Sequence, residues 1–131
     1  MKKYLTYDDV QIIPKYSNIE HRKDCNTITR VTKNVWLDLP IVSSPMDTVT
    51  DFFMCMEMDR LGGMGILHRF QKSFEVGNTI DQFRHQRPDG TIGASIGVTE
   101  DYLKIAQRYV DCGAQIILID VAHGHHKLVK R

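Results

Sequence analysis

Residues 40–68 read PIVSSPMDTVTDFFMCMEMDRLGGMGILH, and this stretch decides the fold because it holds a complete strand, helix and strand. The first run, PIVSS, is apolar without alternation, the pattern of a strand covered on both faces. Apolar residues and helix formers then crowd Asp51 to Leu61, with Thr50 or Asp47 available as N-cap and Gly62 just past the end. MGILH opens a second continuous run, so one crossover unit is complete within 29 residues.

The unit recurs. IGASIGV and QIILIDV are two further continuous runs, and the four strands start near Ile41, Met64, Ile92 and Ile116, at intervals of 23, 28 and 24 residues. Ser73 to Arg87 reads as a weaker helix, interrupted by Gly77 and closed by Pro88. Thr99 can cap a third helix whose first turn carries Glu100 and Asp101, favourable against the positive end of the dipole. Its apolar positions Leu103, Ala106, Tyr109 and Val110 fall at helical steps, and Gly113 ends it. Regular units of this kind imply an α/β fold with parallel strands and right-handed crossovers. Two architectures fit: an open doubly wound sheet, and a (β/α)8 barrel, which spends roughly 30 residues per unit in about 250.

In either architecture ligands sit at the carboxyl ends of the strands. SSPMDT, LHRF, SIGVTE and DVAHGHH occupy that rim and carry Ser, Asp, His, Arg and Gly. Composition agrees with a small-molecule site, since 17 basic and 16 acidic side chains are mixed along 131 residues and leave no basic patch for nucleic acid or an anionic bilayer. The segment MKKYLTYDDV has no apolar signal core, and no run is long enough to span a membrane. Cys25, Cys55 and Cys112 are odd in number and far apart, which argues against disulfides and a thiolate zinc site and fits a reducing cytoplasm. His123, His125 and His126 include two adjacent imidazoles that cannot easily aim at one ion, so no metal site is expected. Four of the six methionines fall within Met46–Met58 and read as core filling.

LTYDDVQIIP, LPIVSSPMDTVTD, LGGMGILHRF and IDVAHGHH together resemble the IMP dehydrogenase and GMP reductase family, over Tyr4 to His126. The resemblance implies a TIM barrel of which residues 40–131 form βα units one to four, half of the barrel, preceded by an N-terminal arm over residues 1–39. It implies a purine nucleotide monophosphate across the barrel top, with NADP or NAD beside it. By resemblance, Ser44 and Met46 contact the nucleotide, while Asp120, Val121, Ala122, Arg69 and Arg22 face the cofactor. A carboxylate can accept ribose hydroxyls, and a guanidinium suits phosphate through paired donors.

The stretch from Phe70 to Thr91 is 22 residues, too short for the paired regulatory domains that most dehydrogenases of the family insert there, which favours the reductase branch, NADPH-dependent conversion of GMP to IMP. The family's nucleophilic cysteine, potassium-binding glycines and main phosphate loops belong to segments beyond Arg131, so no residue here is assigned a catalytic role and the chain alone is expected to be inactive. Cys55 and Cys112 fall in helices and Cys25 in the arm, where burial is the expected role for all three. Half a barrel leaves two open strand edges, so another chain carrying the C-terminal half, self-association, or the rest of a longer gene product of which this is a piece is expected to cover them.

Overall fold

The computed structural model of the chain describes residues 2–99 and 101–130. Its elements are β1 (Thr29–Arg30), β2 (Trp36–Leu37), β3 (Val42–Ser43), α1 (Phe52–Arg60), β4 (Met64–Leu67), α2 (Ser73–Gln86), β5 (Ile92–Ile96), α3 (Tyr102–Asp111) and β6 (Ile116–Ile119). Short 3-10 turns lie at Tyr7–Asp9, Arg22–Asp24 and Lys127–Lys130. β1 and β2 form an antiparallel hairpin, and β3 to β6 form a parallel sheet in sequential order.

That order separates the two architectures. In a doubly wound sheet the order reverses and helices cover both faces. Here one apolar cluster joins Cys55 of α1, Val76, Ile80 and Phe83 of α2 and Tyr109 of α3 to Leu67, Ile92, Ala94 and Ile96 of the sheet. All three helices therefore share one face, which is the topology of an arc of a (β/α)8 barrel. The opposite face carries a smaller cluster, in which Met64 and Ile66 meet Leu37 of the hairpin with Ile116 and Leu118 beside them.

Several local expectations need correction. Only β4 and β5 are buried throughout; Val42 of β3 is exposed, and β6 is only partly covered, because both are edge strands. β3 is two residues rather than five, since Pro40 has no N–H to donate and the Ser44 carbonyl turns to accept from the Met46 amide at 2.8 Å. The N-cap of α1 is Asp51, whose Oδ1 accepts from the Met54 amide at 2.8 Å, and not Thr50 or Asp47. α3 begins after Asp101 rather than at Thr99, and Glu100 lies outside the described residues. α2 runs unbroken through Gly77, where an added Cβ would stand 3.1 Å from Arg108 Nε and 3.3 Å from Cys112 Sγ, so the glycine permits close approach of α3 instead of breaking the helix. Cys25 is exposed, against the expected burial, because only the end of the arm, from Val35 onward, packs on the body: residues 2–34 are exposed throughout.

The end of the sheet opposite the ligand rim is held by polar clasps. Arg84 Nε and Nη2 donate to the Gly113 carbonyl at 2.8 and 2.7 Å, and Nη1 donates to the carbonyls of Gly90 at 2.6 Å and Pro88 at 2.9 Å. Asp59 accepts from the Thr91 amide at 2.7 Å and from Arg87 Nε at 2.6 Å, tying α1 to the start of β5. Gln115 bridges the Ile92 amide and the Gly90 carbonyl at 3.0 and 2.8 Å. One guanidinium thus fixes the α2–β5 connection against the loop before β6. Replacing Arg84 by Ala is expected to lower stability by about 2–4 kcal/mol, since hydrogen bonds from a charged donor are worth roughly 1.5–3 kcal/mol each and do not add fully. Arg84→Lys should recover less than half, because one ammonium cannot span three carbonyls. Urea midpoints measure both, and an unchanged midpoint in Arg84→Ala rejects the clasp.

Candidate functional site

Because the four strands run parallel, the residues following β3, β4, β5 and β6 stand at one end of the sheet. After β3 the chain folds into a tight turn in which the Val49 and Thr50 amides both donate to the Met46 carbonyl, at 3.0 and 2.9 Å. The Thr50 side chain is buried beneath it and lies 2.8 Å from Ser43 Oγ and in contact with the Ser44 carbonyl. One hydroxyl carries one proton, so Thr50 donates to the Ser44 carbonyl and accepts from Ser43. With its backbone held in this way, the turn leaves the Ser44 and Met46 side chains exposed on the rim.

Across the sheet, Arg69 after β4 and Asp120 after β6 meet directly, Nε to Oδ2 at 3.1 Å. The Asp120 amide donates to the Ile96 carbonyl at 2.9 Å, which fixes the exit of β6 beside β5. The guanidinium carbon of Arg69 also lies 4.9 Å from the centre of the Phe70 ring, and His68 stacks on the same ring at 6.1 Å. With side chains 40% and 32% exposed, the Arg69–Asp120 pair adds about 0.2–1 kcal/mol to stability, so its significance is positional. It leaves Asp120 Oδ1 and the terminal nitrogens of Arg69 without protein partners among the described residues.

Six of the seven residues singled out from the sequence, Ser44, Met46, Arg69, Asp120, Val121 and Ala122, thus stand in the segments that follow the strand ends. Neighbouring strands are about 4.8 Å apart, so Ser44 and Asp120, at the two edges of four strands, are separated by roughly 14 Å along the rim. That span suits two ligands side by side better than one small molecule. Arg22 is different: it sits in a 3-10 turn of the exposed arm and makes no side-chain hydrogen bond or ion pair among the described residues. Thr50 and Phe70 were not anticipated; for Thr50 the signal was a hydroxyl six residues after Ser44, where a cap was expected instead.

The thiols stay out of this chemistry. Burial pushes the Cys55 thiol up to about 12, with Asp51 adding in the same direction, and burial also raises Cys112. Rings of His123 and His125 lie 6.3 Å apart, and among the described residues no group of three His, Cys, Asp or Glu side chains could hold a metal ion. No helix among the described residues is long and apolar enough to cross a membrane.

Two outcomes follow. Thr50→Val keeps the shape but removes one of the two donors to the Ser44 carbonyl, leaving the Met46 amide, and takes the acceptor from the Ser43 hydroxyl; a loss of about 1–3 kcal/mol and faster hydrogen exchange at the Met46 and Val49 amides are expected, and unchanged exchange rejects the clasp. Alkylation of the folded chain at pH 8 should modify Cys25 and spare Cys55 until urea is added, because only thiolates react and the Cys55 value of about 12 keeps it protonated. Peptide mass spectrometry reads the order, and early labelling of Cys55 contradicts its burial.

Comparison with known proteins gives this geometry a family. A family model described as the IMP dehydrogenase / GMP reductase domain matches residues 4–131. An inosine-5'-monophosphate dehydrogenase of Nitrosopumilus maritimus (strain SCM1) is 43% identical over 79 residues, 60% of this chain and 17% of the relative. One of Cryptosporidium parvum is 31% identical over 164 residues, 94% of this chain and 40% of the relative, a stretch longer than the chain, so that relative carries inserted residues. A GMP reductase of Leishmania donovani is 53% identical over 66 residues, 50% of this chain and 13% of the relative. The chain spans less than half the length of each of these relatives. With the match running from Tyr4 through the sheet and all its rim loops, the chain belongs to the IMP dehydrogenase / GMP reductase family, whose domain is a TIM barrel.

Proposed function

We propose that this chain is the nucleotide- and cofactor-facing half of a purine nucleotide oxidoreductase of the GMP reductase kind, taking GMP and NADPH. The observation that carries the reading is the shared rim, with the SSPMDT turn at one edge of the sheet and the Arg69–Asp120 pair reaching to the other. In this reading the Ser44 hydroxyl donates to ribose or phosphate without an ionic charge of its own to desolvate, and the Met46 thioether packs on the base. Asp120 offers Oδ1 to a cofactor ribose hydroxyl while Oδ2 stays on Arg69, so one carboxylate oxygen is available rather than two. Val121 and Ala122 extend the wall beside it. Arg22 serves a cofactor phosphate when a neighbouring surface folds the exposed arm over the rim. The nicotinamide cofactor, when bound, supplies the hydride; the residues of this chain bind and orient.

Residues 1–39 act as an arm and 40–131 as βα units one to four, with the remaining units coming from another polypeptide, a second copy or the rest of a longer gene product, in a cytoplasmic assembly. The short Phe70–Thr91 connection supports the reductase branch. A second reading, NAD-dependent oxidation of IMP to XMP, draws support from breadth of similarity, since the Cryptosporidium parvum dehydrogenase matches 94% of the chain and the Leishmania donovani reductase 50%. A third, a non-catalytic nucleotide-binding fragment, keeps the rim and loses the chemistry.

The deciding experiment pairs the chain with the C-terminal half of a GMP reductase and follows nicotinamide absorbance. Oxidation of NADPH that depends on GMP is expected, with kcat/KM falling about tenfold in Ser44→Ala or Asp120→Ala, the loss of one hydrogen bond in each case. The chain alone should show no turnover. Reduction of NAD with IMP instead transfers the assignment to the second reading, and nucleotide binding without turnover transfers it to the third; failure to bind either nucleotide overturns all three.

A further inference from the structure

A second concavity lies beneath the rim on the helix-covered side, at the end of β5, between the β4–α2 connection and the inward face of α3. Its volume is about 180 Å³, lined among others by Arg69, Lys72, Ser73, Gly97, Thr99 and Tyr109. At roughly 30 Å³ per water this is room for about six waters, enough for a tetrahedral oxyanion and some solvent but below the roughly 300 Å³ at which pockets for whole ligands begin.

Its wall is rich in donors. Tyr109 is 2% exposed as a residue, but no polar side-chain atom among the described residues is both fully buried and unpartnered, so its hydroxyl, which makes no protein hydrogen bond, opens onto the cavity. Burial raises the pKa of this phenol, which keeps the proton in place for donation. The Ser95 hydroxyl donates to the Leu67 carbonyl at 2.9 Å, and no hydrogen bond joins it to Tyr109 among the described residues. Arg69 spends only Nε on Asp120, and its Nη1 runs along Gly97, 3.6 Å from where a Cβ there would stand. Lys72 is exposed, with Nζ 5.8 Å from the centre of the Phe74 ring and no carboxylate partner among the described residues. The nearby acids are occupied: Asp120 faces Arg69, and Glu75 accepts from the Lys72 amide at 3.0 Å.

The geometry points to a subsite for a phosphoryl-class oxyanion in this cavity, with Arg69 and Lys72 supplying charge and the Tyr109 hydroxyl a neutral donor from the wall. It shares Arg69 with the rim and deepens the reading above by giving that side chain a second ligand. The phosphoryl group comes either as free inorganic phosphate or as the phosphate arm of a nicotinamide cofactor passing Gly97.

The test titrates the full 131-residue chain with inorganic phosphate and, separately, with NADPH, followed by phosphorus NMR and by tyrosine difference absorption. Saturable binding is expected in at least one arm. Tyr109→Phe should weaken it about fivefold, and Lys72→Gln similarly, each removing one donor to an anion. Tyr109→Phe has no internal hydrogen bond to lose, so its urea midpoint should stay near the parent value, and Lys72 is on the surface. Binding of phosphate alone identifies a free anion; binding of NADPH upholds the site as a cofactor arm only where Tyr109→Phe weakens it, because the rim is assigned the same cofactor. No saturable binding in either arm, or equal affinity in Tyr109→Phe, overturns it. NADPH binding that Tyr109→Phe leaves unchanged rejects this site and leaves the rim assignment standing, and a missing turnover in the paired halves leaves this site standing.

Discussion

Each crossover in the parallel sheet returns the chain to the same end, and because α1, α2 and α3 all lie on one face, successive strands can only be added side by side in one direction. Everything functional follows from that restriction. Four loops distant in sequence are delivered to a single rim, and the opposite face carries no helix among the described residues and packs Met64 and Ile66 against Leu37 of the hairpin. A sheet with helices on both faces would have put the SSPMDT turn and Asp120 on the flanks of a crevice rather than on one continuous lip.

The two ends of the sheet divide the work. At the end away from the rim, Arg84 spends four of its five N–H groups on backbone carbonyls, Gln115 bridges two backbone groups, and Asp59 holds the Thr91 amide and Arg87 Nε. At the rim, polar groups are held by their backbones while their outer atoms stay open, as with Ser44, Asp120 and Arg69. The polar clasps lie at the end of the sheet away from the rim, an arrangement that lets rim loops vary without loosening them.

The strands and helices were legible because continuous apolar runs and helical spacing are local signals, and Met64, Ile92 and Ile116 begin strands as read. Strand order was not legible, since doubly wound and barrel topologies share the same local pattern. The caps were misassigned for a specific reason: Thr50 looks like a capping hydroxyl, but burial beneath the turn gives it the Ser44 carbonyl as a stronger partner, and Asp51 takes the helix. Expected cover on both faces failed at β3 and β6 because composition cannot say which strand is at an edge. The Arg69–Asp120 pair, 51 residues apart, and the lone hydroxyl of Tyr109 leave no trace in the sequence, because they arise from the register of β4, β5 and β6.

The two bare edges are not equivalent. β3 is two residues long, with Pro40 two positions before it and Pro45 two after it, so little of its backbone can template an incoming strand. β6 runs Ile-Ile-Leu-Ile with no proline and no charge until Asp120, and its outer backbone groups are open. Of the two edges of this four-stranded sheet, β6 is therefore the more receptive to self-templating of the cross-β kind and β3 the blunt one, and the residue that closes the receptive edge is the same acid that faces the rim.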